Sequence, residues 1–298
     1  MKNFFAFIKK PTDVFEVYSI IDFYKINNVT LYIEECHWAS YSTIKKYCIY
    51  KIKKKVSKLN IIQNQGKNSL KINWLKKLKK FDIVALPGNL YKSFYMIVRK
   101  LRANKIKVIS ISDGMTDSLS LMRFIFARRI NSFFKLYNVF LYFIFKINIS
   151  DECFFTCYPL KSCCSQITLP INKNFLPEKK IIKLLKKNKV KNLILSTQKI
   201  MDKNTIKNIV IKYKIKNYCH YERGTNFIMI NGSKIIKGKN IMIAEEIMNT
   251  NLIKCVYGGL STTTFYAKVN KIKVNLILEK FKPFFLYYFA KEKFYSIF

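Results

Sequence analysis

Three groups of side chains in this sequence have types and positions suited to group-transfer chemistry. Asp113 follows a strand-like apolar run, in Ser112-Asp113-Gly114, and His220 follows another. The third group is the run of hydroxyl residues at 261–264, which comes directly after a glycine-containing turn. A carboxylate can take a proton from an acceptor hydroxyl, whereas a histidine, hydroxyl groups and helix amides can stabilise an anionic leaving group. An Asp-Gly turn and a structural histidine are the ordinary alternatives.

The third group belongs to a segment with a clear local pattern. The apolar residues 252–256 predict a strand, Gly258 and Gly259 end it, and residues 265–268 continue as a predicted helix. Glycines allow the backbone to approach a ligand closely, and Ser or Thr commonly caps a helix. Because helix N-terminal amides bind anions, the pattern indicates a phosphate cradle. Simple helix capping without a ligand is the alternative.

Short apolar runs that alternate with helical periodicity predict the fold class. These runs indicate buried parallel strands, and the resulting order of strands and helices is typical of an α/β protein. Two prolines and a lysine-rich helix at 170–191 indicate a linker between two domains, 1–175 and 176–298. The predicted strands are residues 4–8, 29–33, 61–62, 81–86, 107–111, 193–198, 240–243, 252–256 and 273–278. Predicted helices cover 14–24, 41–59, 70–78, 91–101, 205–213 and 284–295.

Composition limits the partners that are expected. The formal charge is +38, but only six of the 55 basic residues are Arg. Arg is the residue best suited to recognise bases and to form bidentate hydrogen bonds with phosphates. We therefore attribute much of the charge to solvated surfaces, with attraction to an anionic membrane as a further expectation. The aromatic stretch 119–149 has an apolar centre too short to span a bilayer. We interpret it as a core helix in preference to an interfacial one, because buried aromatic helices are the commoner case.

The cysteines and the chain start carry no strong signal. The eight cysteines include no Cys-x-x-Cys pair, and the chain has only two histidines, so we expect no metal site. Reduced thiols and the lack of an apparent signal peptide predict a cytoplasmic protein, with peripheral contact on the inner face of the cytoplasmic membrane.

Two Rossmann-like domains with parallel sheets facing across a cleft would unite the three groups. In such sheets, ligands bind beyond the carboxyl ends of the strands. Asp113 from the first domain would act as base, while His220, Ser261 and Thr262 from the second would stabilise a departing phosphate. The predicted reaction is a glycosyl transfer from a nucleotide sugar.

The ordered set resembles the bacterial sialyltransferase and polysialyltransferase families, which have the GT-B fold. Ser112-Asp113-Gly114 matches their acid-acid-Gly motif, His220-Tyr221 their His-Pro motif, and Ser261-Thr262 their Ser-Ser/Thr motif. Ala244-Glu245-Glu246 resembles the segment whose glutamate binds the nucleotide ribose in such folds. The departures are Ser112 for an acid and Tyr221 for a proline, and neither position transfers the proton.

The resemblance implies a metal-independent, inverting transfer of sialic acid from CMP-sialic acid to a cell-surface glycan, either lipooligosaccharide or capsular polysaccharide. It implies catalytic roles for Asp113 and His220 and needs no cofactor beyond the donor substrate. Its implied substrate-binding residues are Gly114, Arg223, Glu246, Gly258, Gly259, Ser261, Thr262 and Thr263. The alternatives are another nucleotide-sugar transferase of GT-B fold, an inactive glycan-binding relative, or a basic nucleic-acid-binding protein without enzymatic activity.

Overall fold

The structure is a computed structural model of the whole chain, and it comprises two compact units, Met1–Pro170 and Ile171–Phe298. The predicted domain boundary at 175/176 and the separate roles predicted for the two domains stay predictions. The residues that the structure describes are 2–35, 39–63, 78–87, 98, 100–111, 152–155, 165–168, 174–196, 203–259 and 261–277.

The N-terminal unit contains a seven-stranded sheet in the order β3-β2-β1-β4-β5-β6-β7. All of its neighbouring strands run parallel, and the order of the first six is that of a dinucleotide-binding Rossmann sheet. The strands are β1 (Asn3–Ile8), β2 (Asn28–Ile33), β3 (Lys58–Gln63), β4 (Ile83–Pro87), β5 (Lys107–Ile111), β6 (Glu152–Phe155) and β7 (Ser165–Thr168); the helices include α1 (Pro11–Tyr24) and α2 (Tyr41–Ile52).

The apolar runs explain the centre of this sheet. Residues 4–8 of β1 are all buried, as expected for a strand covered on both faces. Pro11 is the first residue of α1, where its missing N–H is no loss. The helix predicted over 41–59 is wrong in its second half, because α2 ends at Ile52 and residues 58–63 pair with β2 instead. The sheet ladder outweighs local helix propensity there.

The C-terminal unit contains a six-stranded sheet in the order β11-β10-β9-β8-β12-β13. Strands β9, β8, β12 and β13 are parallel, and β10 and β11 add an antiparallel hairpin at one edge. The strands are β8 (Asn192–Ser196), β9 (Tyr218–Glu222), β10 (Phe227–Ile230), β11 (Lys234–Lys237), β12 (Cys255–Gly258) and β13 (Lys273–Leu276). The helices among its described residues are α3 (Lys179–Lys187), α4 (Lys203–Lys212), α5 (Ala244–Met248) and α6 (Thr262–Val269).

Two features of this unit differ from the prediction. Residues 240–243 do not form the predicted strand; they lead directly into α5. The β10–β11 hairpin was not predicted, although Asn231-Gly232 is a strong hairpin signal. Both residues have positive φ, 48° and 77°, as a tight type I′ turn requires.

Each unit has its own apolar core beside the sheet. In the N-terminal unit Phe5, Phe7 and Tyr32 pack together, and in the C-terminal unit Ile194 and Tyr218 pack against residues of α4. Within the described ranges, no helix is both long and apolar enough to cross a bilayer. The helices predicted within 70–77, 119–149 and 284–295 lie outside the described residues.

Candidate functional site

A buried polar pair lies at the carboxyl end of the parallel strands in the C-terminal unit. Ser196 is the last residue of β8. The prediction that His220 follows a strand is wrong, because it is the third of the five residues of the neighbouring strand β9, whose ladder with β8 extends to Glu222. The Oγ atom of Ser196 and the Nε2 atom of His220 are 2.6 Å apart, and the two residues are only 3% and 6% exposed. The register aligns Ile194 with His220, so Ser196 lies one pleat further along on the same face.

Burial lowers the pKa of His220 from its usual value of 6.5. A neutral imidazole has one nitrogen that donates and one that accepts. Because Nε2 is engaged by Ser196, Nδ1 is the nitrogen left for a ligand. His220 can therefore offer one polar atom to an anion without bringing a full charge into the core.

The turn after β12 lies next to this pair in the sheet. Strand β12 pairs with β8, and Gly258 follows Tyr257, which is aligned with Ile194. A Cβ atom on Gly258 would lie 3.1 Å from the Cβ of Leu195, tighter than ordinary contact. The absent side chain thus allows β12 and β8 to approach closely. The predicted ligand contacts of Gly258 and Gly259 stay predictions.

Ser261 caps helix α6 in the manner that its type predicts. Its Oγ accepts a hydrogen bond from the Thr264 amide at 3.3 Å, and the Ser261 amide donates to Thr264 Oγ1 at 3.0 Å. This reciprocal arrangement is a capping box with threonine in the place of the usual glutamate. The amides of Thr262 and Thr263 are not among those that the cap takes up. The cap and an anion site therefore use different groups and are compatible.

Two adjacent glutamates on α5 have different partners. Glu245 Oε1 accepts a hydrogen bond from the Thr263 hydroxyl at 3.0 Å, which links α5 to the first turn of α6. Glu246 Oε1 accepts from the Ile243 amide at 3.1 Å and so caps its own helix. The ribose-binding role of Glu246 that the resemblance implies stays a prediction. Glu245 is the glutamate that contacts the first turn of α6, where the candidate anion site lies.

The electrostatics around Glu245 also involve Arg223, which follows β9. Burial raises the pKa of the Glu245 carboxyl, the Thr263 hydrogen bond and the Arg223 charge oppose that rise, and the neighbouring Glu246 adds to it. Tyr221, which follows His220, is buried and donates its hydroxyl hydrogen to the Met242 carbonyl oxygen at 2.9 Å. This tyrosine therefore ties β9 to the chain before α5.

The sheet order brings together part of the predicted site. Strands β9, β8 and β12 are consecutive neighbours, so His220, Ser261 and Thr263 belong to one carboxyl edge. Asp113 and Gly114 lie outside the described residues, as does the side chain of Thr262. Sequence reasoning missed Ser196 and Glu245. The polar residues 196–198 directly after an apolar strand were the available signal for Ser196.

Other features of the described residues lie apart from this edge. A pocket of about 190 Å³ is lined by Met248, Asn249, Asn251, Ile253, Lys254, Asn270, Lys271 and Ile272. Since residues 251–254 precede β12 and 270–272 precede β13, it lies at the amino ends of these strands, away from His220. Among the described side chains, no group of three or more His, Cys, Asp or Glu is placed to hold a metal ion.

Comparison with known proteins places the fold. No family model and no curated protein matches this sequence. Among solved structures, the chain shares the GT-B fold of two Rossmann-like domains. One of the matching structures is UGT2 from Phytolacca americana complexed with UDP-2fluoro-glucose and pterostilbene. The TM-score is 0.52 at 7% sequence identity, over 92% of this chain and 80% of that chain. At this identity the likeness shows the fold alone.

Proposed function

We propose that this protein is a glycosyltransferase that binds a nucleotide-sugar donor at the carboxyl edge of its C-terminal sheet. The observation that carries the proposal is the contact of Ser196, at the end of β8, with His220 of β9, beside the strand β12 that leads into α6. Ligands of open α/β sheets bind at such edges. The two-domain fold shared with a nucleotide-sugar-bound transferase supports the same site.

The groups at this edge suit a phosphate in particular. His220 offers Nδ1, and α6 offers the amides of Thr262 and Thr263 at the positive end of its dipole. Neutral and dipolar donors of this kind stabilise negative charge that develops on a leaving phosphate. The base that would take the acceptor's proton is Asp113, on the strength of its position after β5 in the sequence.

The motif order favours one donor within this class. Asp113, His220 and Ser261-Thr262 occur in the order of the sialyltransferase motifs, which supports CMP-sialic acid as donor, an inverting and metal-independent reaction, and a lipooligosaccharide or capsular polysaccharide as acceptor. The high net charge of +38 supports a polyanionic or membrane-borne acceptor and a location at the inner face of the cytoplasmic membrane.

A second donor is favoured by a separate observation. The chain that shares the fold was solved with UDP-2fluoro-glucose, so a UDP-hexose is the alternative donor. Both donors place a phosphate at the same edge, and they differ in the base and the sugar.

Nucleotide release during incubation with each donor tests the proposal. We expect CMP release from CMP-sialic acid with an oligosaccharide acceptor, and loss of that release in Asp113→Ala and His220→Ala proteins that remain folded. UDP release from a UDP-hexose instead would select the second donor. Absence of any nucleotide binding, together with tight and salt-sensitive binding of DNA, would favour the nucleic-acid-binding alternative and contradict a transferase.

A further inference from the structure

We propose that the Ser196 hydroxyl donates its hydrogen to Nε2 of His220 and so holds the imidazole as the neutral Nδ1–H tautomer, which presents an N–H group to the bound anion. Ser196 is thus a positioning residue that acts through His220. The ligand role of Nδ1 rests on the proposed function, whereas the hydrogen-bond direction rests on the geometry of the pair alone.

The direction of the hydrogen bond follows from what a buried hydroxyl requires. Ser196 is almost fully buried, and a buried hydroxyl group needs an acceptor for its hydrogen. In the part of the chain that the structure describes, the recorded side-chain partner of Ser196 Oγ is His220 Nε2, at 2.6 Å. If Nε2 carried the proton instead, the Ser196 hydrogen would be left without that acceptor. The arrangement with Nε2 as acceptor satisfies the Ser196 hydroxyl and Nε2, and it leaves the Nδ1–H group as the donor for a ligand.

The tautomer decides what His220 can do for a ligand. With Nε2 as acceptor, the ring proton lies on Nδ1, and Nδ1 becomes a donor. Burial lowers the pKa of His220, which agrees with a neutral ring. A neutral donor can hydrogen-bond to a phosphate oxygen without the desolvation cost of an imidazolium in the core. The opposite tautomer would aim a lone pair at the anion and repel it.

The neighbouring strands keep this geometry rigid. Ser196 is the last residue of β8, and β8 is hydrogen-bonded on one side to β9 and on the other to β12. The ladder with β12 ends at Ile194, so position 196 is fixed by its pairing with Glu222 of β9, and its hydroxyl needs only one rotamer to reach Nε2. A residue on a strand gives more precise positioning than one on a loop.

Nuclear magnetic resonance of the ring nitrogens tests the tautomer directly. The chain has only two histidines, so a His37→Gln variant of the full-length protein labelled with ¹⁵N-histidine shows a single ring. Ring-nitrogen shifts and their couplings to ring protons distinguish Nδ1–H, Nε2–H and imidazolium forms. We expect the Nδ1–H form near neutral pH, without any nucleotide added. An Nε2–H or imidazolium ring in this protein would overturn the proposal.

Substitutions at position 196 separate positioning from simple structure. In the same labelled background, Ser196→Ala should shift the ring toward Nε2–H, while Ser196→Thr, which keeps a hydroxyl, should retain Nδ1–H. Ser233→Ala is the matched control, since Ser233 is exposed in the β10–β11 turn and should change nothing. An unchanged tautomer in folded Ser196→Ala would contradict the proposal. Should that variant fail to fold, the spectra of the unsubstituted and Thr proteins decide.

Nucleotide affinity gives the second readout. CMP and UDP are titrated calorimetrically into the unlabelled variants. We expect Ser196→Ala to lower the affinity for whichever nucleotide binds by about fivefold, which corresponds to the loss of one hydrogen bond. The affinity of Ser196→Thr should stay near that of the parent. Equal affinities in folded Ala and Thr proteins would contradict a positioning role. Failure of the unsubstituted protein to bind either nucleotide would overturn the proposed function and the ligand role of Nδ1, while the tautomer is judged from the spectra.

Discussion

The two units each contain a central strand followed by a tight turn and a helix, and the two turns are chemically opposite. In the N-terminal unit the first turn of α1 contains Asp13, whose Oδ2 accepts hydrogen bonds from the Lys9 amide at 2.8 Å and the Lys10 amide at 3.1 Å. In the C-terminal unit the β12–α6 turn ends in Ser261 and Thr264, which cap the helix with hydroxyl groups. The cap of α1 is thus a carboxylate, whereas the cap of α6 is neutral, and the acid nearby, Glu245, contacts α6 only through the Thr263 hydroxyl in the described residues.

This difference explains why only one turn suits a phosphate. The partial positive charge at a helix N-terminus stabilises any nearby anion. At α1 the buried Asp13 carboxylate already fills that role. At α6 the cap is neutral, and Glu245 engages the Thr263 hydroxyl, so the amides of Thr262 and Thr263 are left for a ligand. Both turns are equally compatible with a Rossmann-like fold. The charge of the capping residue therefore distinguishes a structural turn from a candidate binding turn.

Removal of the internal anion from the first turn should have the largest effect. Asp13→Ala leaves two amides without their acceptor, and we expect a loss of about 3 kcal/mol in the free energy of unfolding, because hydrogen bonds to charged groups are strong. Asp13→Asn keeps one oxygen and should lose about half as much. Urea unfolding measures both, and calorimetry should show nucleotide affinity unchanged. Unaltered stability in Asp13→Ala would refute the structural role of this turn.

Introduction of a carboxylate into the second turn should occupy the N-terminus of α6 as Asp13 occupies that of α1. Ser261→Asp supplies a good helix cap, so the melting temperature should stay near that of the parent. Its carboxylate would compete with the phosphate for the end of α6, and we expect nucleotide affinity to fall by about tenfold or more. Ser261→Asn is the matched control, since it has nearly the same shape without the charge. Equal affinities of the Asp and Asn proteins would place the phosphate elsewhere.

Loss of the neutral cap should have a moderate effect. Ser261→Ala removes the acceptor for the Thr264 amide and should cost about 1 kcal/mol of stability, the usual worth of such a cap. The amides of Thr262 and Thr263 remain, so nucleotide affinity should fall less than in Ser261→Asp. Ser40→Ala, at the equivalent cap of α2, is the control for stability, because Ser40 Oγ accepts from the Thr43 amide in the same way. A larger affinity loss in Ser261→Ala than in Ser261→Asp would show that the Ser261 hydroxyl itself binds the ligand.

The sequence predicts the parts of both turns that depend on local pattern. The apolar residues of β1, Pro11 at the start of α1, and Ser261 as a cap are each specified by neighbouring residues. The Asn231-Gly232 hairpin was equally local and was overlooked. The contact between Ser196 and His220 spans 24 residues and depends on the strand register, which no local pattern specifies. The choice between Glu245 and Glu246 depends on the rotation of α5 about its axis, which is known only once the helix packs.

The charge state of His220 gives the smallest and most specific prediction. Its pKa in the folded protein lies below the ordinary value of 6.5, because burial disfavours the imidazolium. As pH falls below the unfolded-state pKa, the unfolded chain takes up this proton before the folded one does, and stability decreases until pH passes the folded pKa. The melting temperature of His220→Gln should therefore fall less than that of the parent as the pH is lowered from about 7.5 to 5.5. His37→Gln, which removes the other histidine, is the control. A parent that gains stability over the same acidification, relative to His220→Gln, would mean that His220 is charged in the folded state. The second turn would then lie beside a positively charged imidazolium. The two turns would differ by a full charge as well as by the charge of their caps.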